Sequence, residues 1–287
     1  MSDKFKSFLP KNYKFKNIIY KKEDYKSIIT INREKKLNCL NLETINELTN
    51  AFKDSSWDDN IAVIILTGAG RRAFSTGADL EEQEKYFLGN PNDYYKWMYE
   101  FIQLHEVMRN VGKPIIARLN GMVVGGGNEL NMSCDLAIAA DHIIIKQVGA
   151  AMGSVAAAGA TQFLPLIVGD RRAREILFLC EDIPVKKALD WGLVNQVVPY
   201  EELDNAVDVM AEKLYNKLPE CLRYAKQQLN FWRDLSWHTT IGHARDWLSI
   251  HNLSPEVSAG ISAFNEKKKI DYKKIRNPKK KKKNSFI

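Results

Sequence analysis

Apolar positions along the chain switch between two spacings, and the switching divides it into strands and helices. Residues 18–20 (Ile-Ile-Tyr) open a short strand, and residues 27–32 (Ser-Ile-Ile-Thr-Ile-Asn) give a second. Ile45, Leu48 and Phe52 fall at i, i+3 and i+7, the stripe of an amphipathic helix over 44–52, with Asn41 placed to cap it. Residues 62–67 (Ala-Val-Ile-Ile-Leu-Thr) and 114–119 (Pro-Ile-Ile-Ala-Arg-Leu) are nearly continuous apolar runs, the pattern of strands covered on both faces. Between them, 68–79 reads as a glycine-punctuated loop and 93–110 as a helix. A glycine-rich turn at 121–127 leads into a helix at 128–135, followed by strand material at 136–140 and 143–145. Residues 153–168 are small and then apolar. Helices are expected at 171–179 and 185–191, the second ended by Gly192, before a last short strand at 194–198. From Tyr200 onward the pattern is helical. Strands alternating with helices predict an α/β core, with the helical tail as a further layer.

Composition adds limits. With 287 residues and 45% hydrophobic content, a core of roughly 200 residues and an appendage of roughly 80 are expected. No apolar run approaches the ~18 residues that span a bilayer, and the basic lead-in at 1–16 lacks the apolar centre of a secretory signal. The expectation is a soluble, cytoplasmic protein with no membrane partner. Of the net charge of +7, five belong to the lysine run 279–283, so the body is nearly neutral. The segment 273–287 therefore reads as a solvated, disordered tail, with a nucleic-acid or acidic-membrane contact as the alternative. Cys39, Cys134, Cys180 and Cys221 form no CxxC pair, and the histidines lack metal-ligand spacing. Neither a metal site nor a disulfide framework is expected.

Two segments carry the candidate chemistry: Ala73-Phe-Ser-Thr-Gly-Ala-Asp79 and Gly121-Met-Val-Val-Gly-Gly-Gly-Asn-Glu-Leu130. Each follows a buried strand across a short loop, and the second opens a helix. Glycine there lets a backbone N–H face a ligand atom directly, and at a helix N-terminus that N–H is unpaired and near the positive end of the dipole. Two such groups converging on one oxygen would form an oxyanion hole; a tight turn alone would also explain the glycines. The contiguous Gly125, Gly126 and Gly127 do not make a dinucleotide fingerprint.

With these two segments, Cys134-Asp-Leu-Ala-Ile-Ala-Ala140, Gly159-Ala-Thr-Gln-Phe-Leu164, Ala188-Leu-Asp-Trp-Gly-Leu-Val-Asn195 and Ala263-Phe-Asn-Glu-Lys267, the chain resembles the enoyl-CoA hydratase/isomerase (crotonase) superfamily from about residue 29 to 269. The resemblance implies a ClpP-like spiral of ββα units over 17–205 and a helical trimerisation region over 206–272. It also implies a homotrimer or dimer of trimers, and a bent acyl-CoA substrate of which coenzyme A is part, so that no separate cofactor is needed. Carried over by position, Ala78 and Gly126 would donate the oxyanion N–H groups, and Glu129, three residues beyond Gly126, would act on the reacting carbons. Ala73, Ser75, Gly77, Asp79, Gly125, Gly149 and Ser154 would shape the substrate site. Phe264 and Lys267 match positions that contact CoA in family members, in some cases in a neighbouring subunit.

Hydratases of this superfamily use two glutamates. Here the second falls at Gly149, and the carboxylate is absent; a water or small anion could stand there instead. The Gln-Val-Gly segment at 147–149 resembles a branch that includes the 6-oxocyclohex-1-ene-1-carbonyl-CoA and 2-ketocyclohexanecarboxyl-CoA hydrolases. That branch implies hydration or hydrolytic ring opening of an alicyclic acyl-CoA. The alternatives are an enoyl-CoA hydratase or isomerase on linear acyl-CoA, and a non-catalytic protein of this fold binding RNA through its tail. Tyr94, Tyr95 and Trp97 read as a lid or as a helix face on the core, His105 and His142 as surface or structural, and Arg71 and Arg72 as partners for the CoA 3′-phosphate.

Overall fold

A computed structural model describes residues 7–156 and 158–276. β1 (Ile18–Glu23) and β2 (Lys26–Ile31) pair as an antiparallel hairpin. Asn41 caps α1 (Leu42–Trp57) by accepting from the Thr44 N–H at 3.0 Å, as its position in the sequence predicts. β3 (Val63–Gly68) is buried at every residue because it runs parallel between β2 and β5 (Ile115–Leu119). Beyond β5 lie β7 (Leu136–Ala140) and β10 (Gln196–Val198), both parallel to their neighbours, giving a six-stranded sheet in the order β1-β2-β3-β5-β7-β10.

A second sheet lies across the first, in the order β4-β6-β8-β9. Its members are β4 (Ala73–Ser75), β6 (Met122–Val124), β8 (Ile144–Lys146) and β9 (Ile183–Pro184). Each turn of chain therefore places one strand in the large sheet and the next in the small one before a helix follows. β3 and β4 lead to α2 (Leu80–Glu82) and α3 (Pro91–Asn110), β5 and β6 to α4 (Gly126–Ser133), and β7 and β8 to α5 (Ala160–Val168) and α6 (Asp170–Leu179). This is the expected spiral of ββα units. β4 and β6 lie inside segments read from sequence as loop and turn, since three residues are too few to show a period. α4 also begins at Gly126, two residues earlier than expected, so the glycines are part of its first turn.

After α7 (Val185–Asp190), α8 (Leu203–Tyr215) lays Leu203, Val207 and Ala211 onto the large sheet. The 205/206 division drawn from sequence thus falls inside a helix that packs on the core. α9 (Pro219–His251) runs along α3, where Arg109 forks onto Asp234 at 3.0 and 2.8 Å. His105 is fully buried there, its Nδ1 2.8 Å from the Phe101 carbonyl, and burial pushes its pKa down to about 4. α10 (Pro255–Asn265) and α11 (Tyr272–Arg276) complete the described chain. The lysine run 279–283 lies outside the described residues, and no described helix is long and apolar enough to cross a membrane.

Candidate active site

β4 and β6 are parallel neighbours, so their C-terminal ends deliver two loops side by side. Gly77, at the turn after β4, has φ +81°, and a Cβ there would stand 2.7 Å from the Gly126 nitrogen. The two backbones approach this closely because neither carries a side chain. Gly127 is pinned similarly: a Cβ on it would meet the Ser75 carbonyl at 2.2 Å. Both loops thus depend on absent side chains.

The direction of the first amide follows from a parallel bridge between Leu40 and Ala78. Leu40 donates to the Gly77 carbonyl at 2.7 Å and accepts from the Asp79 N–H at 3.0 Å. In such a bridge the residue between those two groups turns its own N–H to the opposite side, which here is the cavity that Ala78 lines. The second amide belongs to Gly126, the first residue of α4, where helix geometry offers its N–H no acceptor. Among the described residues neither N–H has a protein acceptor, and both residues line the same cavity.

That cavity has a volume of about 510 Å³, within the usual range for small-molecule sites. Its apolar wall includes Trp97, Met98, Phe101, Val148, Met152 and Leu248. Glu129, 4% exposed, lines it one helical turn beyond Gly126. Tyr94 lines it too; burial pushes its pKa up to about 12, with the Glu129 charge adding to the effect. Asp79 is the other buried carboxylate on the wall. It holds Arg33 at 2.7 Å and caps α2 by accepting from the Glu81 and Glu82 amides. Burial opposes its ionisation, but Arg33 and these amides hold its pKa below the usual carboxylate value. Asp79 therefore fixes the loop, and Glu129 is the second buried carboxylate on the wall.

Gly77, Ala78, Asp79, Gly125, Gly126, Glu129, Gly149, Ser154 and Phe264 all line the cavity of their own chain. Three residues chosen from sequence stand off it. Ala73 and Ser75 are buried in β4; the Ala73 carbonyl accepts from Asn38 at 2.7 Å and from Asn120 at 3.1 Å, so they brace the loop from behind. Lys267 is exposed beyond the end of α10 and is not part of the wall. Gly149 lines the cavity without room for a side chain in the ordinary direction. A Cβ there would meet the Ala156 nitrogen and Ser154 carbonyl at 3.0 Å each, so loop backbone fills the direction a side chain would take.

The charges at the cavity mouth also differ from those chosen. Arg71 pairs with Glu201 at 3.1 Å and lies over the Tyr200 ring, away from the cavity. Lys35 and Lys36, exposed at the mouth, line it instead. Their only sequence signal was adjacency to the strand that meets Ala78. Tyr94 and Trp97 belong to the wall, whereas Tyr95 stacks against Arg245 outside it. His142 stands at the surface beside Tyr200.

A spiral of ββα turns thus brings the Ala78 and Gly126 amides and the buried carboxylates of Asp79 and Glu129 to one largely apolar cavity. The chain belongs to the enoyl-CoA hydratase/isomerase family, whose sequence profile matches residues 24–276. The chain is similar to an enoyl-CoA hydratase from Bacillus anthracis, 31% identical over 90% of this chain and 99% of that one, with a TM-score of 0.73. It is also similar to an enoyl-CoA hydratase/isomerase from Xanthobacter autotrophicus Py2, 25% identical over 88% and 94%, TM-score 0.80. An enoyl-CoA hydratase from Mycobacterium avium subsp. paratuberculosis K-10, 24% identical over 90% and 98%, shares the fold with a TM-score of 0.81.

Proposed function

We propose that this chain carries an alicyclic oxo- or enoyl-acyl-CoA through a thioester enolate, by hydration or by hydrolytic ring opening. The carrying observation is that the Ala78 and Gly126 amides and Glu129 line one cavity. The thioester carbonyl sits between the two amides. As charge moves onto its oxygen, each donor stabilises it by about 3–4 kcal/mol, the size of single-donor deletions elsewhere. Glu129 activates water and returns a proton to the α-carbon. In ring opening, water attacks the ring ketone and the departing carbanion is the same enolate, so one hole serves both reactions. Lys35 at the mouth supplies counter-charge for the CoA phosphates, while its neighbour Lys36 is paired with Glu81 at 2.5 Å. The alicyclic assignment rests on the small residues Gly149 and Ala156 in the wall and on the resemblance of the 147–149 segment to ring-opening hydrolases.

A second reading, isomerisation or hydration of linear enoyl-CoA by one carboxylate, is supported by the likeness to the Bacillus anthracis enoyl-CoA hydratase. Turnover of crotonyl-CoA beside cyclohex-1-ene-1-carbonyl-CoA separates the two. Glu129→Gln is expected to abolish turnover of whichever is used; retention of full activity would remove Glu129 from the mechanism. We also propose a homotrimer, because α9 exposes Leu229, Phe231, Trp232 and Leu235, each more than half accessible, a surface too apolar for solvent alone.

A further inference from the structure

A glycine at 149, where family hydratases carry a second carboxylate, leaves a chemical gap. An oxygen joined to the substrate's β-carbon, whether arriving as water or present as a ring ketone, needs a polar partner other than Glu129. We propose that Tyr94 is a catalytic residue that donates its phenol hydrogen bond to that oxygen, the role a second carboxylate would otherwise share. The assignment rests on the enolate reading of the site and deepens it.

Elimination narrows the choice. Of the other polar side chains on the wall, Thr76 donates to the Leu37 carbonyl at 3.2 Å, and Gln147 reaches the Gly125 carbonyl at 3.5 Å. Asp79 is held by Arg33, and the Cys39 sulfur accepts from the same guanidinium at 3.2 Å. Ser154, on the loop beside Gly149, and the Trp97 indole also line the wall; the indole ring stacks on both Tyr94 and Phe101, which leaves the Tyr94 phenol at the end of the stack. Tyr94 stands on α3, and the charge it feels is that of Glu129.

Its placement relative to the oxyanion amides is mechanical. The Tyr94 ring stacks on Trp97 at 6.0 Å and 25°, Trp97 stacks on Phe101 at 5.3 Å, and the tip of Phe101 would stand 3.1 Å from a Cβ on Gly126. Three rings on successive turns of one helix thus tie the phenol to the residue that supplies the second N–H. Burial keeps the phenol protonated through the neutral range, pushing its pKa up to about 12. It is therefore a donor whenever Glu129 is an acceptor.

In hydration the balance is as follows. Glu129 takes a proton from water, and the water oxygen bonds to the β-carbon while the C=C electron pair moves through the α-carbon onto the thioester oxygen. The enolate then collapses as Glu129 returns that proton to the α-carbon. Tyr94 keeps its own proton throughout and bonds the incoming oxygen, so one water is added and nothing else is consumed. In ring opening the same O–H meets the ketone oxygen as water adds to its carbon.

The test uses Tyr94→Phe in the full chain, which keeps the ring and its stacking. Turnover of the enoyl-CoA substrate is expected to fall about tenfold or more with KM nearly unchanged, the size of one lost polar contact. Acetoacetyl-CoA, which carries a β-oxygen, should bind about tenfold more weakly to the variant by calorimetry. Butyryl-CoA, which lacks it, should bind as before. Unchanged turnover, or equal weakening of both esters, overturns the assignment. Glu129→Gln run in parallel keeps the two claims apart. If it abolishes turnover while Tyr94→Phe does not, only the tyrosine falls; if it retains full turnover, the enolate reading falls first.

Discussion

Gly77→Ala probes the oxyanion hole from the side of its scaffold rather than its donors. The residue sits at φ +81°, where an alanine costs about 1 kcal/mol in backbone strain. Its methyl would stand 2.7 Å from the Gly126 nitrogen, whereas ordinary contact begins near 3.4 Å, so one of the two backbones must retreat by about 0.7 Å. A hydrogen-bond donor useful only within about 2.7–3.1 Å of the oxyanion does not survive such a shift, and the loss of one donor lowers kcat by about 10²–10³. The control is Gly89→Ala, at φ +74° with nothing within 4 Å of the new methyl. It carries the strain without the collision. Both variants should lose about 2–4 °C in Tm from strain, with a further loss in Gly77→Ala from the collision, and only Gly77→Ala should lose turnover. Measured by thermal unfolding and by steady-state assay on an acyl-CoA ester, wild-type kcat in Gly77→Ala would refute the placement of the two amides.

Other predictions follow from the same geometry. Gly149→Glu should not create a two-carboxylate hydratase, because the new side chain starts against Ser154 and Ala156 backbone. Lowered Tm without a gain in crotonyl-CoA hydration is expected, and a gain would show that the loop yields. Asp79→Asn breaks a buried ion pair and should cost about 3–5 kcal/mol in chemical denaturation. Because the Asp79 pKa is depressed in the folded state, its contribution is present above the ordinary value of 3.8 and is lost as pH falls through the folded value. The variant's stability should therefore fall less steeply below about pH 4 than the wild type's. His105 has its pKa lowered from 6.5 to about 4, so the unfolded chain takes up the proton first as pH falls. Its share of stability is complete above pH 6.5 and declines towards pH 4, amounting to about 2 kcal/mol between pH 7 and pH 5. Urea unfolding of His105→Asn at those two pH values should lack that increment; an identical pH dependence in both proteins would contradict the neutral buried state.

Legibility from sequence varied with the kind of signal. β3, β5 and α1 were readable because burial on two faces or on one stripe leaves a periodic trace in Val63 to Leu66, Ile115 to Leu119 and Ile45 to Phe52. β4, β6 and β9 left none, being two or three residues long and held by neighbours distant in sequence. The glycine segments were legible as a candidate type of site, because Gly77 and Gly125 to Gly127 suit backbone that must come close to something, although a tight turn would also explain them. Lys35, Lys36 and Tyr94 were not legible as site residues. Nothing local distinguishes a lysine at a cavity mouth from one in solvent, or a tyrosine on a cavity wall from one packed on a core.

The chain's own pattern determined an α/β core and two glycine segments able to bring backbone N–H groups close to a ligand, since hydrophobic period and glycine placement are local properties written residue by residue; the spiral and the roles of Ala78, Gly126 and Glu129 were implied by the resemblance to the enoyl-CoA hydratase/isomerase family. Tertiary structure alone decided where the Ala78 amide points, through its bridge to Leu40, and that Asp79 serves Arg33 and α2 rather than substrate. It also decided that Arg71 turns away to Glu201 and that loop backbone occupies the direction a side chain at 149 would take. Each of those depends on partners tens of residues away, whose approach is set by packing of whole elements and leaves no mark at the position itself.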